Sequence, residues 1–167
     1  LGAKGRLLSV FDPSRIGGSL QLSGELLDFN RLKPAFFDKS SSAGFDIPRT
    51  AFTGNVDMNS GNIRGKLEGR TGQGKINLAA DWQSRLENYT LHLVADRFPV
   101  NAFMPLLGVG EISATLDADG HGYNPFAKTM RLDATLDVTK AIYQKYDYAD
   151  ISANAHLADG HADIRLE

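Results

Sequence analysis

The chain has 167 residues, no cysteine, a net charge of −2 at pH 7 and 42% hydrophobic residues. That is one ordinary domain with enough apolar side chains for a core, which excludes intrinsic disorder. The missing cysteines exclude a disulfide framework and thiolate metal or redox centres, and Lys and Arg scattered among acids exclude a nucleic-acid-binding stripe.

In chain order, a first strand is expected from Gly5 to Phe11, ended by Asp12-Pro13-Ser14. Gly17-Gly18 opens a second, with Leu20, Leu22 and Leu26 on one face and Gln21 and Ser23 on the other, the period of two that marks a strand. Residues 29–44 break the alternation and read as an irregular insertion. Leu32, Ala35 and Phe36 fall at helical spacing around Pro34, and Asp38 to Gly44, with three serines, reads as a polar loop. Strands resume at Phe52 and are expected over Ile63–Glu68, Lys75–Trp82 and Tyr89–Ala95. Residues 98–107 predict a short apolar helix that starts at Pro99, carries Phe103, Leu106 and Leu107 on one side and plugs an end or edge of the sheet. Five further strands follow at about Glu111–Asp119, Thr129–Thr139, Ala141–Tyr148, Ala149–Ala158 and His161–Leu166, with Asp-Gly turn signals at 119–120 and 159–160.

The last third repeats itself. Ile112-Ser113-Ala114-Thr115-Leu116 returns as Leu132-Asp133-Ala134-Thr135-Leu136 and again as Ile151-Ser152-Ala153-Asn154-Ala155. Leu78-Ala79-Ala80-Asp81 and Leu93-Val94-Ala95-Asp96 are worn copies of the same unit. A fixed period of alternating residues predicts strands stacked side by side with one continuous apolar surface. Spacings of about twenty residues or fewer leave no room for βαβ crossovers, so the sheet should be mostly antiparallel. The fold expected is all-β: one long, curved sheet of repeats, a β-groove, spanning residues 1–167 as a single segment with one or two short helices. The chain begins Leu-Gly-Ala-Lys and ends directly after a strand pattern, so it reads as a piece of a longer repeat protein. No apolar run approaches the ~18 residues needed to cross a bilayer as a helix.

Several motifs suggest chemistry and fall short of it. Gly69 to Ile76 is a near match to a phosphate-binding loop, but Ile76 replaces the required hydroxyl and a strand pattern follows where a helix is needed, which leaves a glycine-rich hairpin turn. Asp117-Ala118-Asp119-Gly120-His121 resembles the start of a calcium loop without its remaining ligands. His121, His156 and His161 with Asp159 and Asp163 lack a fixed ligand set, so no metal and no cofactor is expected. No nucleophile elbow or catalytic constellation is present, and enzymatic activity is not expected. Ile142, Tyr143, Tyr146 and Tyr148 around Lys145 could stack on sugar rings, or could simply pair across strands.

The residues expected on the apolar face are Ile76, Leu78, Leu91, Leu93, Ile112, Ala114, Leu116, Leu132, Ala134, Leu136, Ile151, Ala153, Ala155, Leu157, Ile164 and Leu166. Two readings stand. The face is an ordinary core between two sheets, or it is a groove left open for an apolar guest, for which the alternation of large and small residues leaves space.

Three segments carry a resemblance: Gly-Glu-Ile-Ser-Ala-Thr-Leu-Asp-Ala-Asp-Gly (110–120), Asn-Pro-Phe-Ala-Lys (124–128) and Met-Arg-Leu-Asp-Ala-Thr-Leu-Asp-Val (130–138). With the stretch from Ile142 to Leu166, they resemble the AsmA-like superfamily, and within it the TamB (translocation and assembly module) family of diderm bacteria. The likeness spans about Gly61 to Glu167 and rests on diffuse strand patterns. It implies a periplasmic β-sheet curled around an apolar groove, anchored to the inner membrane by a segment elsewhere in the parent protein. The implied partners are phospholipid acyl chains moving between the two membranes and, through other parts of the parent, a BamA-like outer-membrane barrel, TamA. Beside the lipid-carrying function stand two alternatives: a module that templates strands of outer-membrane proteins, and an adhesin or carbohydrate-binding repeat using the tyrosines.

Overall fold

The computed structural model describes residues 2–9, 15–26, 46, 48–122, 124 and 127–167. The strand end expected at Asp12-Pro13-Ser14, and the helix and polar loop expected within 29–44, lie outside the described residues.

The strands are β1 (Gly2–Leu8), β2 (Gly17–Leu26), β3 (Thr50–Asn59), β4 (Asn62–Thr71), β5 (Gly74–Gln83), β6 (Asn88–Pro99), β7 (Val109–His121), β8 (Arg131–Tyr143), β9 (Tyr146–Tyr148), β10 (Ile151–Ala158) and β11 (His161–Leu166). Between β6 and β7 sit a single helical turn, α1 (Val100–Phe103), and a 3₁₀ turn, Pro105–Leu107. All eleven strands belong to one antiparallel, open sheet in which each strand pairs with the next along the chain, except that β10 pairs with β8 and not with β9. β9 and β10 both pair with β8 and continue one register past a break at Ala149–Asp150, so together they act as one interrupted strand.

Local chemistry explains the hairpins. Asp159 (φ 52°) and Gly160 (φ 75°) both take the left-handed conformation that a two-residue I′ turn demands, as the Asp-Gly signal predicts. The phosphate-loop lookalike is also a hairpin turn: Thr71 pairs with Gly74 across Gly72 (φ 61°) and Gln73. The other Asp-Gly signal is overturned. Asp119 and Gly120 lie inside β7, which runs on to His121. Gly120 is there to make room: a Cβ on it would fall 2.3 Å from the Tyr89 ring, which lies across it from β6. The strand expected over Ala141–Tyr148 is likewise two pieces. β8 continues to Tyr143, the chain turns at Gln144 and Lys145, and β9 returns. Residues 98–107 are not one helix, because β6 extends through Phe98 and Pro99 before α1 begins.

The sheet has no second layer among the described residues. Every extensive strand–strand contact is between ladder neighbours. The buried apolar residues are Ala95, Ala114, Met130 and Val138, and no large side chain is fully enclosed. The accessible surface is 11623 Å², against roughly 8,000 Å² for a globular monomer of this mass. Among the described residues no second sheet packs on the apolar face.

Candidate functional site

Register converts the alternation of each strand into rows that run across the sheet. One row reads Ala3, Leu22, Gly54, Leu67, Leu78, Leu93, Leu116, Leu136, Ala153, Leu166, each residue the direct partner of the next. Five consecutive strands, β4 to β8, contribute leucine to it. The row beside it is small: Gly65, Ala80, Leu91, Ala118, Ala134 and Ala155, ending at Ile164. Beyond that lies a third row, in which Met58, Ile63, Trp82 and Tyr89 lead through Gly120 to Leu132 and Leu157. On the other flank of the leucines, Ile76, Ala95, Ala114, Val138 and Ile151 form a fourth row. The surface is thus a leucine ridge beside a shallow furrow.

All sixteen residues expected on the apolar face lie on this one face. Leu78, Leu93, Leu116, Leu136, Ala153 and Leu166 form the leucine row, while Leu91, Ala134, Ala155 and Ile164 belong to the furrow. Leu132 and Leu157 stand in the third row, and Ile76, Ala114 and Ile151 in the fourth, with Ile112 next along β7 opposite Phe98 and Ala141. Most are half-buried by their neighbours, whereas Ile164 and Leu166 on the edge strand are 70% and 74% exposed. Local alternation did not by itself reveal Leu67, which completes the leucine run; its partnership with Leu78 supplies that link.

One end of this face is partly closed. Phe103 of α1 stacks on Phe98 with ring centroids 4.8 Å apart, near the row that holds the buried Ala95, Ala114 and Val138. The connection does not plug the sheet, because Met104, Leu106 and Leu107 project into solvent. The leucine row stays uncovered among the described residues.

The opposite face is polar and carries the molecule's charges. Arg64 bonds Asp81 at 2.9 Å, His92 meets Asp117 and His156 meets Asp133, both at 2.5 Å, and His121 meets Asn88 at 2.9 Å. Asp119 stands directly opposite Asp133, a like-charge pairing that the His156 contact offsets. His161 pairs with Ala158 beside the Asp159-Gly160 turn, two residues along β10 from His156. Among the described residues no group of three or more His, Asp or Glu could hold a metal ion. A hollow of about 450 Å³ lies on this face among Lys66, Asp81, His92, Asp117, Asp133 and Thr135. It is a gap between fanned, mutually paired polar side chains over the backbone of Gly65, Ala80 and Ala118, and it is open to solvent. The apolar face lines a surface, not an enclosed cavity.

Among the described residues the pKa effect that is resolved belongs to the Glu25–Arg49 pair. Glu25 is held below the ordinary carboxylate value by the hydrogen bond from Arg49 at 2.5 Å, and Arg49 is raised in turn. Fold and site define a class, an open single-layer antiparallel sheet that presents one apolar and one charged face. Comparison with protein-family models, with curated proteins and with solved structures gave no match. No helix among the described residues is long and apolar enough to cross a membrane.

Proposed function

We propose that the chain is a segment of a bacterial envelope protein whose apolar face carries phospholipid acyl chains across the periplasm. The observation that supports it is the leucine row: five leucines in register on consecutive strands of a face that has no second layer among the described residues. Four strand intervals of about 4.8 Å make a track of about 19 Å. That equals the length of an extended chain of roughly sixteen carbons, at about 1.25 Å advance per staggered C–C bond. An acyl chain in water forfeits about 0.8 kcal/mol per CH₂, so a free chain of that length does not cross an aqueous gap at a useful rate. A leucine ridge beside an alanine furrow offsets most of that loss without binding more tightly than a membrane, as transport requires. The headgroup stays in water at the open side, and the mechanism needs no cofactor. The resemblance to the AsmA-like superfamily supplies the periplasmic setting of the proposal.

Site-specific photocrosslinking in cells tests this. Probes at Leu116, Leu136 and Leu157 face the track; Thr115 and Thr135 point to the polar face and serve as controls. Phospholipid adducts confined to the leucine positions are expected. Adducts to outer-membrane protein strands at those positions would replace lipid transport by strand templating, a reading to which the open ladder edges of β1 and β11 lend support. An absence of adducts on folded protein would refute both.

A further inference from the structure

At one end of the sheet, three strands change course together. In β6 an extra residue bulges between Ala95 and Phe98, where Arg97 takes φ 46°, and in β8 the register slips between Val138 and Lys140. Both irregularities meet at Ser113 of β7: its Oγ accepts the Arg97 amide at 2.9 Å, and its carbonyl accepts the Thr139 hydroxyl at 3.1 Å. Bulges bend and twist the strands that carry them. A line of them makes a crease, beyond which lie α1, the 3₁₀ turn and the β8–β9 hairpin.

That end is apolar, exposed and braced. Met104, Leu106 and Leu107 occupy one protruding turn with exposures of 42%, 77% and 53%. The Phe98–Phe103 stack forms its base, and the Gln144 amide donates to the Gly108 carbonyl at 2.9 Å, joining the turn to the tyrosine hairpin. In that hairpin Tyr143 faces Tyr146, with Tyr148 one pleat further on the same side, and all three rings are exposed.

We propose that this end is a membrane-contact tip, which seats Met104, Leu106 and Leu107 at the boundary between headgroups and acyl chains of a phospholipid bilayer. Three features select a bilayer over a protein groove. The apolar apex is a short exposed turn, which a bilayer accepts without a shaped pocket. The flanking side chains are tyrosines, whose apolar rings and polar tips suit the interfacial layer. Charges of both signs lie at neighbouring chain and ladder positions, with Arg97, Lys140 and Lys145 alongside Asp96, Glu111, Asp147 and Asp150, a mixture that suits the paired phosphate and ammonium groups of zwitterionic lipid. The tip holds whether or not the leucine row carries lipid.

The chain's lack of cysteine permits a single-site label. With an environment-sensitive dye on Leu106→Cys, phosphatidylcholine vesicles shift the emission to the blue, and nitroxide lipids labelled at shallow depth quench it. The same dye on Leu86→Cys, in the β5–β6 turn at the opposite end of the strands, stays in water. The double substitution Leu106→Asp with Leu107→Asp lowers co-flotation with these vesicles roughly tenfold while the β-sheet circular dichroism is kept, and Leu136→Asp floats like the parent. Salt at about 0.5 M, which screens surface charge, changes co-flotation less than twofold. A dye at position 106 that remains in water, or a double variant that floats undiminished, overturns the proposal; so does a loss of flotation in Leu136→Asp alone, which moves the contact to the leucine row. Binding of a fluorescent fatty acid in vesicle-free buffer reads the lipid-carrying function separately, since it should depend on Leu136 and not on Leu106.

Discussion

At the residue scale, one exchange reports on the face and another on its fine packing. Leu136 is only partly exposed and ends the run of five leucines, between Leu116 and Ala153. Leu136→Asp therefore lowers unfolding free energy by about 1–3 kcal/mol. It weakens fatty-acid binding at least roughly tenfold, because a carboxylate beside an acyl chain loses water without gaining a partner; titration with a fluorescent fatty acid and denaturant unfolding measure the two effects. Gly120 makes the second case. Gly120→Ala drives a methyl into the Tyr89 ring and costs about 1 kcal/mol. In a Tyr89→Ala background the same exchange becomes nearly neutral, and a double-mutant cycle by urea denaturation returns that coupling. The Glu25–Arg49 pair contributes in the opposite sense to a switch. Its lowered carboxyl favours the fold above the unfolded-state value and loses that contribution as pH falls through the folded one. Both groups are solvent-exposed and screened, so Glu25→Gln leaves the thermal midpoint unchanged.

At the element scale, alternation in the sequence was enough to place most strands and their inward faces. Leu20, Leu22 and Leu26 of β2 share a face as expected, and β11 spans His161–Leu166 as expected. What escaped depends on partners distant in sequence. Asp119-Gly120 carries the same local signal as Asp159-Gly160, yet Tyr89 converts the first glycine into a docking site for its ring, and nothing near Gly120 in sequence announces that. The bulges at Arg97 and Thr139 were equally hidden, because a single extra residue is visible only against the strand beside it. Both kinds of element are testable. Gly160→Ala, at φ 75°, destabilises the β10–β11 hairpin by about 1 kcal/mol, detectable as a lower thermal midpoint. Ser113→Ala removes the acceptor of the Arg97 amide and costs about 1 kcal/mol; amide hydrogen exchange accelerates at Arg97 while the Leu93 and Leu116 amides in the ladder keep their protection.

At the scale of the whole molecule, a sheet of this length with no second layer among the described residues presents an apolar face that ordinary folding covers. Register, which the sequence alone did not give, aligns leucine with leucine across β4 to β8 of one sheet, and no described element lies across them. The polar face, tied by Arg64–Asp81, His92–Asp117 and His156–Asp133, keeps the other side solvated. The asymmetry gives the described sheet one polar and one apolar side. The measurement that bears most directly on this account is native mass spectrometry of the protein purified from bacterial envelopes under non-denaturing conditions, with the parent chain set against Leu116→Asp with Leu136→Asp. The account predicts phospholipid bound to the parent and absent from the variant, with both folded. Lipid bound equally to the two, or to neither, would contradict it.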